Sequence, residues 1–180
     1  MTPQEYIQLK AFARVDGLWM GLLWVGSFVC YVLGLASPGL GLVAMILAII
    51  SPFVAYRRLK HYRDEVVDGV LSFKRGWGYA VLLFMYGSLI LAAVQFVYFA
   101  FIDKGYFASA FANMMSDAET TAAISKMGLT DALAQGIESL RTMRPIDLVL
   151  NILTSNLFLG LLMAVPIAAV AKRKRLEQVK

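Results

Sequence analysis

The stretch that decides the fold is GLWMGLLWVGSFVCYVLGLASPGLGLVAMILAIISPFVAY, residues 17–56. It contains two apolar runs, 17–35 and 40–56, and neither run holds a charged residue. About 20 apolar residues in a helix are needed to cross the core of a bilayer. Between the runs, Ser37, Pro38 and Gly39 favour a tight turn. The stretch therefore predicts two transmembrane helices that pack as an antiparallel hairpin.

Two further apolar runs, 76–102 and 146–171, complete a set of four predicted spans. The 180-residue chain is 59% hydrophobic, which places it among membrane proteins and leaves no room for a separate soluble enzyme domain. We therefore predict an all-α fold, in which residues 1–180 form a single polytopic membrane domain with four transmembrane helices.

The basic residues are distributed unevenly about these spans, since 13 of the 17 fall on one side. Short loops rich in lysine and arginine stay in the cytoplasm, so this side is predicted to be cytoplasmic, with both termini inside. The net charge of +5 then reflects topology and anionic lipid, and no nucleic-acid partner is expected. The 13 are Lys10, Arg14, Arg57, Arg58, Lys60, Arg63, Lys74, Arg75, Lys172, Arg173, Lys174, Arg175 and Lys180, and the other four are Lys104, Lys126, Arg141 and Arg144.

The cytoplasmic segments carry helical signals of their own. Residues 1–16 begin with the capping box Thr2-Pro3-Gln4-Glu5 and predict an amphipathic helix on the membrane surface, which leads into the first span. The cytoplasmic loop 57–75 is expected to extend the second span as a helix until Asp68-Gly69 breaks it. Residues 172–180 are predicted to form a basic cytoplasmic tail.

The periplasmic loop, residues 103–145, is long enough to fold into helices. Ser116-Asp117-Ala118-Glu119 has the spacing of a capping box, Gly128 is a helix stop, and Thr130-Asp131 can begin another helix. We expect this last helix to turn an apolar stripe toward the membrane. The stripe consists of Leu133, Ile137, Leu140 and Met143.

The densest cluster of reactive side chains is predicted in the cytoplasmic loop. His61, Asp64, Glu65 and Asp68 share one helical face, a spacing that suits a metal site or an acid-base site. The favoured interpretation is an exposed charged face, on which Lys60 pairs with Asp64 and His61 pairs with Glu65. The sequence shows no second acidic cluster of the kind that holds a divalent cation against a lipid diphosphate. We therefore predict no catalytic residue, no metal site and no cofactor.

The interiors of the predicted spans are poor in ionisable groups. No Asp, Glu, Lys, Arg or His falls in the central two-thirds of a span, which argues against an ion-coupled transporter. Gln95, Asn151 and Ser155 are instead expected to form an intramembrane polar patch. Hydrogen bonds that fix helix packing are its simplest role, and contact with a substrate is the alternative.

Small residues four positions apart recur in the spans and predict close helix packing, either within the bundle or against a partner. These are Gly17, Gly21, Gly26, Gly34, Gly160, Ala164 and Ala168.

A basic rim gathers where spans two and three emerge, and it predicts contact with anionic lipid head groups. The rim consists of Arg57, Arg58, Lys60, Arg63, Lys74 and Arg75.

The order of these features along the chain matches a known pattern. It comprises a Gly-initiated first hairpin, Tyr62-Arg63-Asp64 with Gly69 and Ser72-Phe73 before span three, Tyr98-Phe99 with Ile102-Asp103 at its end, a helical outer loop and a Lys-Arg-Lys-Arg end. Together these features resemble domain of unknown function 4199, a family of small four-span membrane proteins of Bacteroidota. The resemblance implies a multi-pass protein of the bacterial inner (cytoplasmic) membrane. It carries no established activity or catalytic residues, and it points to a membrane glycosyltransferase as a partner.

Three functional hypotheses follow. The leading one is a non-enzymatic accessory or structural subunit that packs against another membrane protein or a second copy of itself. The alternative is a component of lipid or lipid-carrier translocation, which would use the polar patch and the basic rim. The third is an intramembrane lipid-modifying enzyme.

Overall fold

The computed structural model describes residues 2–173 and confirms the predicted all-α fold. Within this range, four helical segments are long and apolar enough to cross a membrane. Lys174, Arg175 and Lys180 of the predicted basic tail lie outside the described residues. The helices are α1 (Pro3–Gly34), α2 (Pro38–His61), α3 (Phe73–Val97), α4 (Tyr106–Met115), α5 (Ala118–Lys126), α6 (Thr130–Thr142) and α7 (Pro145–Ala171). Two π-helical turns, Tyr62–Val66 and Tyr98–Ile102, extend α2 and α3.

Helix α1 begins at the predicted capping box, in which Thr2 and Glu5 each accept a hydrogen bond from the other's backbone nitrogen. It then runs without interruption to Gly34. The expected separation into a surface helix (1–16) and a span (17–35) is therefore absent. No proline interrupts the helix after Pro3, and the early residues Leu9 and Ala13 are fully buried in the core. Burial against the other helices carries the segment straight into the span.

Helices α1 and α2 form the antiparallel hairpin that the opening stretch predicts. The two helices approach closely beside the turn, where a Cβ atom placed on Gly34 would lie 2.5 Å from the backbone nitrogen of Gly41. Farther along the pair, the Ser27 hydroxyl donates a 2.9 Å hydrogen bond to the carbonyl oxygen of Ala44. A side chain larger than hydrogen at position 34 would push the two helices apart.

Helix α3 is the centre of the bundle and packs against both α1 and α7, whereas α2 packs mainly on α1. The small residues predicted for helix packing mediate these internal contacts. A Cβ atom on Gly17 would lie 2.6 Å from the Cβ of Tyr86, and one on Gly160 would lie 2.8 Å from the Cβ of Phe84. Gly21 meets α3 in the same way, and Ala164 and Ala168 are fully buried, whereas Gly26 has open space beside it.

The connection from α2 to α3 is tied to the end of α7, and we name this side of the bundle the basic end. Asp68 and Gly69 both have positive φ angles, which ends the helical run where the sequence predicted a break. Leu71 then exchanges two backbone hydrogen bonds with Arg173. Ser72 caps the start of α3, and its side chain accepts a hydrogen bond from the Arg75 backbone nitrogen. Much of the predicted loop 57–75 is helical, since α2 and its π-helical extension continue to Val66 and α3 begins at Phe73.

Helices α4, α5 and α6 lie between α3 and α7 along the chain and cover the opposite side of the bundle, which we name the capped end. Gly128 has a φ of 68° and separates α5 from α6, as predicted, whereas α4 was not foreseen. The apolar stripe of α6 is its half-buried side. Leu140 and Met143 share a small cavity with Phe99 of the α3 extension, so this part of the stripe contacts the bundle.

Candidate functional site

A buried polar network occupies the basic end of the bundle. Tyr62 and Tyr79 are fully buried, and their rings stack with centroids 4.7 Å apart. Arg75 donates two hydrogen bonds, of 3.0 and 3.1 Å, to the Tyr62 hydroxyl oxygen and lies 3.2 Å from a carboxylate oxygen of Glu5. The network joins α1, the π-helical turn after α2, and α3.

Asp16 contributes a second carboxylate to this network. It is 6% exposed, accepts a hydrogen bond from the Tyr79 hydroxyl and lies 3.4 Å from the Arg58 guanidinium. Asp16 is the last residue of the predicted surface helix 1–16, and no functional role was predicted for it. Its helical spacing from the buried residues Ala13 and Met20 was the signal that places it inside the bundle.

The predicted basic rim divides into two groups. Arg58 and Arg75 are drawn into the network, and Arg63 donates hydrogen bonds to Asp64 and to the carbonyl oxygen of Ala171. These three arginines therefore connect parts of the protein to one another. The other three, Arg57, Lys60 and Lys74, have exposed side chains.

The side chains of the candidate metal or acid-base cluster, His61, Asp64, Glu65 and Asp68, do not converge on one site in the described structure. Asp64 pairs with Arg63 at 2.7 Å, and within residues 2–173 no ion pair joins Lys60 to Asp64 or His61 to Glu65. Among the same residues, no three histidine, cysteine or acidic side chains are placed to hold a metal ion. The π-helical turn that follows His61 changes the helical register and brings Arg63 to the buried side.

In the capped half, a cavity of about 790 Å³ lies between α1, α2, α3 and α7. It exists because α2 leans on α1 and leaves a gap toward α7. Two of its wall residues, Leu42 and Met45, are exposed, so the cavity opens on the outside of the bundle. Its walls are formed by Trp24, Ser27, Phe28, Tyr31, Gly34, Leu35, Gly41, Leu42, Ala44, Met45, Ala48, Leu91, Gln95, Ile152 and Asn156.

Among the described residues, the cavity walls carry polar side chains but no charged one. Gln95 of α3 is 5% exposed, and its Oε1 atom has no hydrogen-bond partner in the described part of the chain. The Ser27 hydroxyl donates its hydrogen bond to the Ala44 carbonyl oxygen and so is not available to Gln95. Asn156 of α7 is half-buried. This arrangement suits a ligand that has an apolar hydrocarbon tail and an uncharged polar group.

A family model described as "Protein of unknown function (DUF4199)" matches residues 16–173. The chain belongs to the DUF4199 family. The family resemblance expected from the sequence is thus confirmed. No curated protein and no solved structure matches this DUF4199 member. The matched region contains every residue that lines the cavity, together with Asp16, Arg58 and Tyr79 of the network.

The polar patch expected in this DUF4199 protein is arranged differently from the prediction. Gln95 lies inside the bundle, whereas Asn151 and Ser155 are exposed on α7, with Asn151 3.8 Å from the Met143 sulfur. Asn156 takes their place in the cavity wall. Neighbouring residues on a helix point about 100° apart, so a shift of one position selects a different face of α7. Helical spacing showed that Asn151 and Ser155 share a face, but not which face α7 turns inward.

Proposed function

We propose that this DUF4199 protein binds a membrane lipid in its four-helix cavity and serves, without catalysing a reaction, in lipid or lipid-carrier handling. The cavity itself is the observation that supports this function. Its volume of about 790 Å³ lies in the range of small-molecule sites, which span roughly 300–1,000 Å³. A packed protein interior leaves few gaps of this size, because unfilled space forfeits van der Waals contacts.

The surroundings favour a lipid as the occupant. The four apolar helices belong in a membrane, and the exposed wall residues Leu42 and Met45 open the cavity at the level of those helices. In a membrane, the acyl chains of lipids surround the protein at this level and can enter such an opening. A chain gains little hydrophobic free energy by leaving one apolar medium for another, so packing and hydrogen bonds must provide the preference.

The proposed orientation places the cavity in the outer half of the bacterial inner membrane. The positive-inside distribution puts the basic end in the cytoplasm, where the exposed Arg57, Lys60 and Lys74 would meet anionic head groups. The capped end, with α4 to α6, would then be periplasmic. In this arrangement a lipid enters from the outer leaflet, while the buried network holds the cytoplasmic end together.

Binding is favoured over catalysis by the state of the buried carboxylate. Asp16 is engaged by Tyr79 and Arg58 and does not line the cavity. A carboxylate that exchanges protons with a substrate must lie within hydrogen-bond reach of it. We therefore assign Asp16 a structural role.

Trp24 provides a direct test, because it lies in the cavity wall and stacks on Phe84. Replacement of Trp19 and Trp77 by phenylalanine leaves Trp24 as the only tryptophan of the chain. The detergent-solubilised protein is titrated with the glycerol monoester of dibromostearic acid, whose bromine atoms quench nearby indole fluorescence. We expect saturable quenching of Trp24.

Matched variants separate the cavity from the general apolar surface. Ala48→Phe fills the cavity and should weaken binding about tenfold, which corresponds to about 1.4 kcal/mol. Ala93→Phe adds the same ring to an exposed position of α3 outside the cavity and should leave binding unchanged. Equal binding by both variants would contradict the proposal, as would quenching of Trp24 no stronger than that of the exposed Trp19 in its own single-tryptophan protein.

A second candidate function, the accessory subunit, is favoured by the broad apolar faces of α2 and α7. Phe53 is 67% exposed and Phe158 is 61% exposed. Except for Gly26, the small residues that first motivated this hypothesis pack inside the bundle. A partner such as a membrane glycosyltransferase or a second copy would therefore have to contact mainly these apolar faces. A photo-crosslinking residue at position 158 in native membranes should then capture one stoichiometric partner. Recovery of lipid adducts alone would contradict this second function.

A further inference from the structure

We infer that the lipid held in the cavity carries a hydroxyl group that binds Gln95, so the ligand is a lipid alcohol and not a fully esterified or etherified lipid. This inference rests on the proposed lipid-binding function and specifies its ligand class. The observation behind it is the unpartnered Oε1 atom of a glutamine that is 5% exposed and lies in the cavity wall.

Gln95 needs a hydrogen-bond donor that the protein does not supply. A buried acceptor without a partner is destabilising, and buried polar side chains in proteins are nearly always hydrogen-bonded. Two hydroxyls belong to the same wall: the Ser27 hydrogen is directed at the Ala44 carbonyl oxygen, and the Tyr31 hydroxyl makes no hydrogen bond to Gln95 Oε1. The Oε1 atom is itself buried, so a donor from outside the protein reaches it when the Gln95 amide turns toward the cavity.

The uncharged wall selects the chemistry of that donor. Within residues 2–173, no lysine, arginine or histidine lines the cavity, so no described side chain there would balance a phosphate or carboxylate. An acidic side chain that would attract an ammonium group is also absent from the lining. The group beside Gln95 is therefore neutral.

Among neutral lipid groups, a hydroxyl fits best. An ester or ether oxygen only accepts hydrogen bonds and would leave Oε1 unpaired, whereas a hydroxyl donates to Oε1 and still accepts from an amide nitrogen. Asn156 places such an amide in the wall contributed by α7. A ligand hydroxyl can therefore donate a hydrogen bond to Gln95 on α3, and its oxygen can accept one from an amide such as that of Asn156 on α7.

The position of Gln95 fixes how the ligand would lie. Gln95 is seven residues before Ile102, the end of the α3 extension, which corresponds to roughly 10 Å along the helix. The cavity continues past this level to Trp24 and Ala48. The hydroxyl would thus sit below the capped end of the bundle, with the apolar chain directed toward Trp24.

Two probes that differ only in the hydroxyl test the inference. Dibromo-octadecanol and its methyl ether are titrated separately into the protein that retains Trp24 alone. We expect the alcohol to bind about tenfold more tightly than the ether, as one additional hydrogen bond implies. Gln95→Leu should abolish this preference by weakening the alcohol alone. Asn151→Leu makes the same kind of change on the exposed face of α7 and should preserve the preference.

The outcomes separate this inference from the function on which it rests. If neither probe nor the glycerol monoester gives saturable quenching, lipid binding itself is wrong. If alcohol and ether bind equally, or the ether binds more tightly, the cavity binds lipid but the hydroxyl inference is overturned. A preference for the alcohol that survives Gln95→Leu also overturns it. The comparison of the two probes on the unsubstituted Gln95 protein decides the question even if the leucine variant does not fold.

Discussion

Tyr79 of α3 donates its hydroxyl hydrogen bond to the buried carboxylate of Asp16 on α1. The same carboxylate lies 3.4 Å from the Arg58 guanidinium of α2. One acidic side chain therefore joins three helices at the basic end. The contact also holds α2, which packs mainly on α1, in a fixed position relative to α3.

Tyr79→Phe should destabilise the bundle because it leaves the buried Asp16 carboxylate without its donor while keeping the ring stacked on Tyr62. We expect the free energy of unfolding to fall by about 1–3 kcal/mol. Denaturation in mixed micelles, followed by circular dichroism, measures this change. Tyr106→Phe removes the hydroxyl of an exposed tyrosine and should have no effect. Equal losses in the two variants would show that the Tyr79 hydroxyl contributes nothing specific.

Gly17→Ala should also be destabilising, by about 1–3 kcal/mol, because the new methyl group must push α1 away from α3. Its carbon would lie 2.6 Å from the Tyr86 Cβ and 3.0 Å from the Leu83 carbonyl oxygen. Gly26→Ala is the matched control on the same helix, since a Cβ there meets nothing within 4 Å. The control should be neutral or slightly stabilising, because alanine favours helices. The order of the two melting temperatures tests the packing of α1 on α3.

Arg63→Met should loosen the end of α7. The substitution removes the 3.0 Å hydrogen bond to the Ala171 carbonyl oxygen and the ion pair with Asp64. We expect a loss of about 1–3 kcal/mol in unfolding free energy and faster proteolysis after α7. Arg57→Met changes an exposed arginine and should leave both measurements unchanged. If the two variants behave alike, Arg63 acts only as a surface charge.

The orientation of the bundle can be tested with single cysteines. In a Cys30→Ala background, Lys126→Cys at the capped end should react with a membrane-impermeant maleimide in intact cells. Lys60→Cys at the basic end should react only after the cells are permeabilised. Both lysines are exposed, so accessibility reports sidedness. The reverse pattern would invert the positive-inside assignment.

The sequence predicted the four spans, the antiparallel hairpin and the helix breaks at Asp68-Gly69 and Gly128, because each depends on local composition or backbone preference. It did not predict how helices rotate about their own axes. The exchange of Ser155 for Asn156 in the cavity wall is a rotation of one residue, which only packing against α3 decides. The role of Asp16 was missed because its partners, Arg58 and Tyr79, are distant in sequence. Charge patterns reveal which side of a span a residue occupies but not which side chains meet.

The two backbone hydrogen bonds between Leu71 and Arg173 have a consequence for biogenesis. Leu71 leaves the ribosome before α3, whereas Arg173 follows the last helix, so these bonds can form only after α7 has been synthesised. Until then the segment between α2 and α3 lacks the contact that fixes it. Membrane insertion of the first three helices therefore proceeds before this junction can close, and its closure must wait until Arg173 has been synthesised.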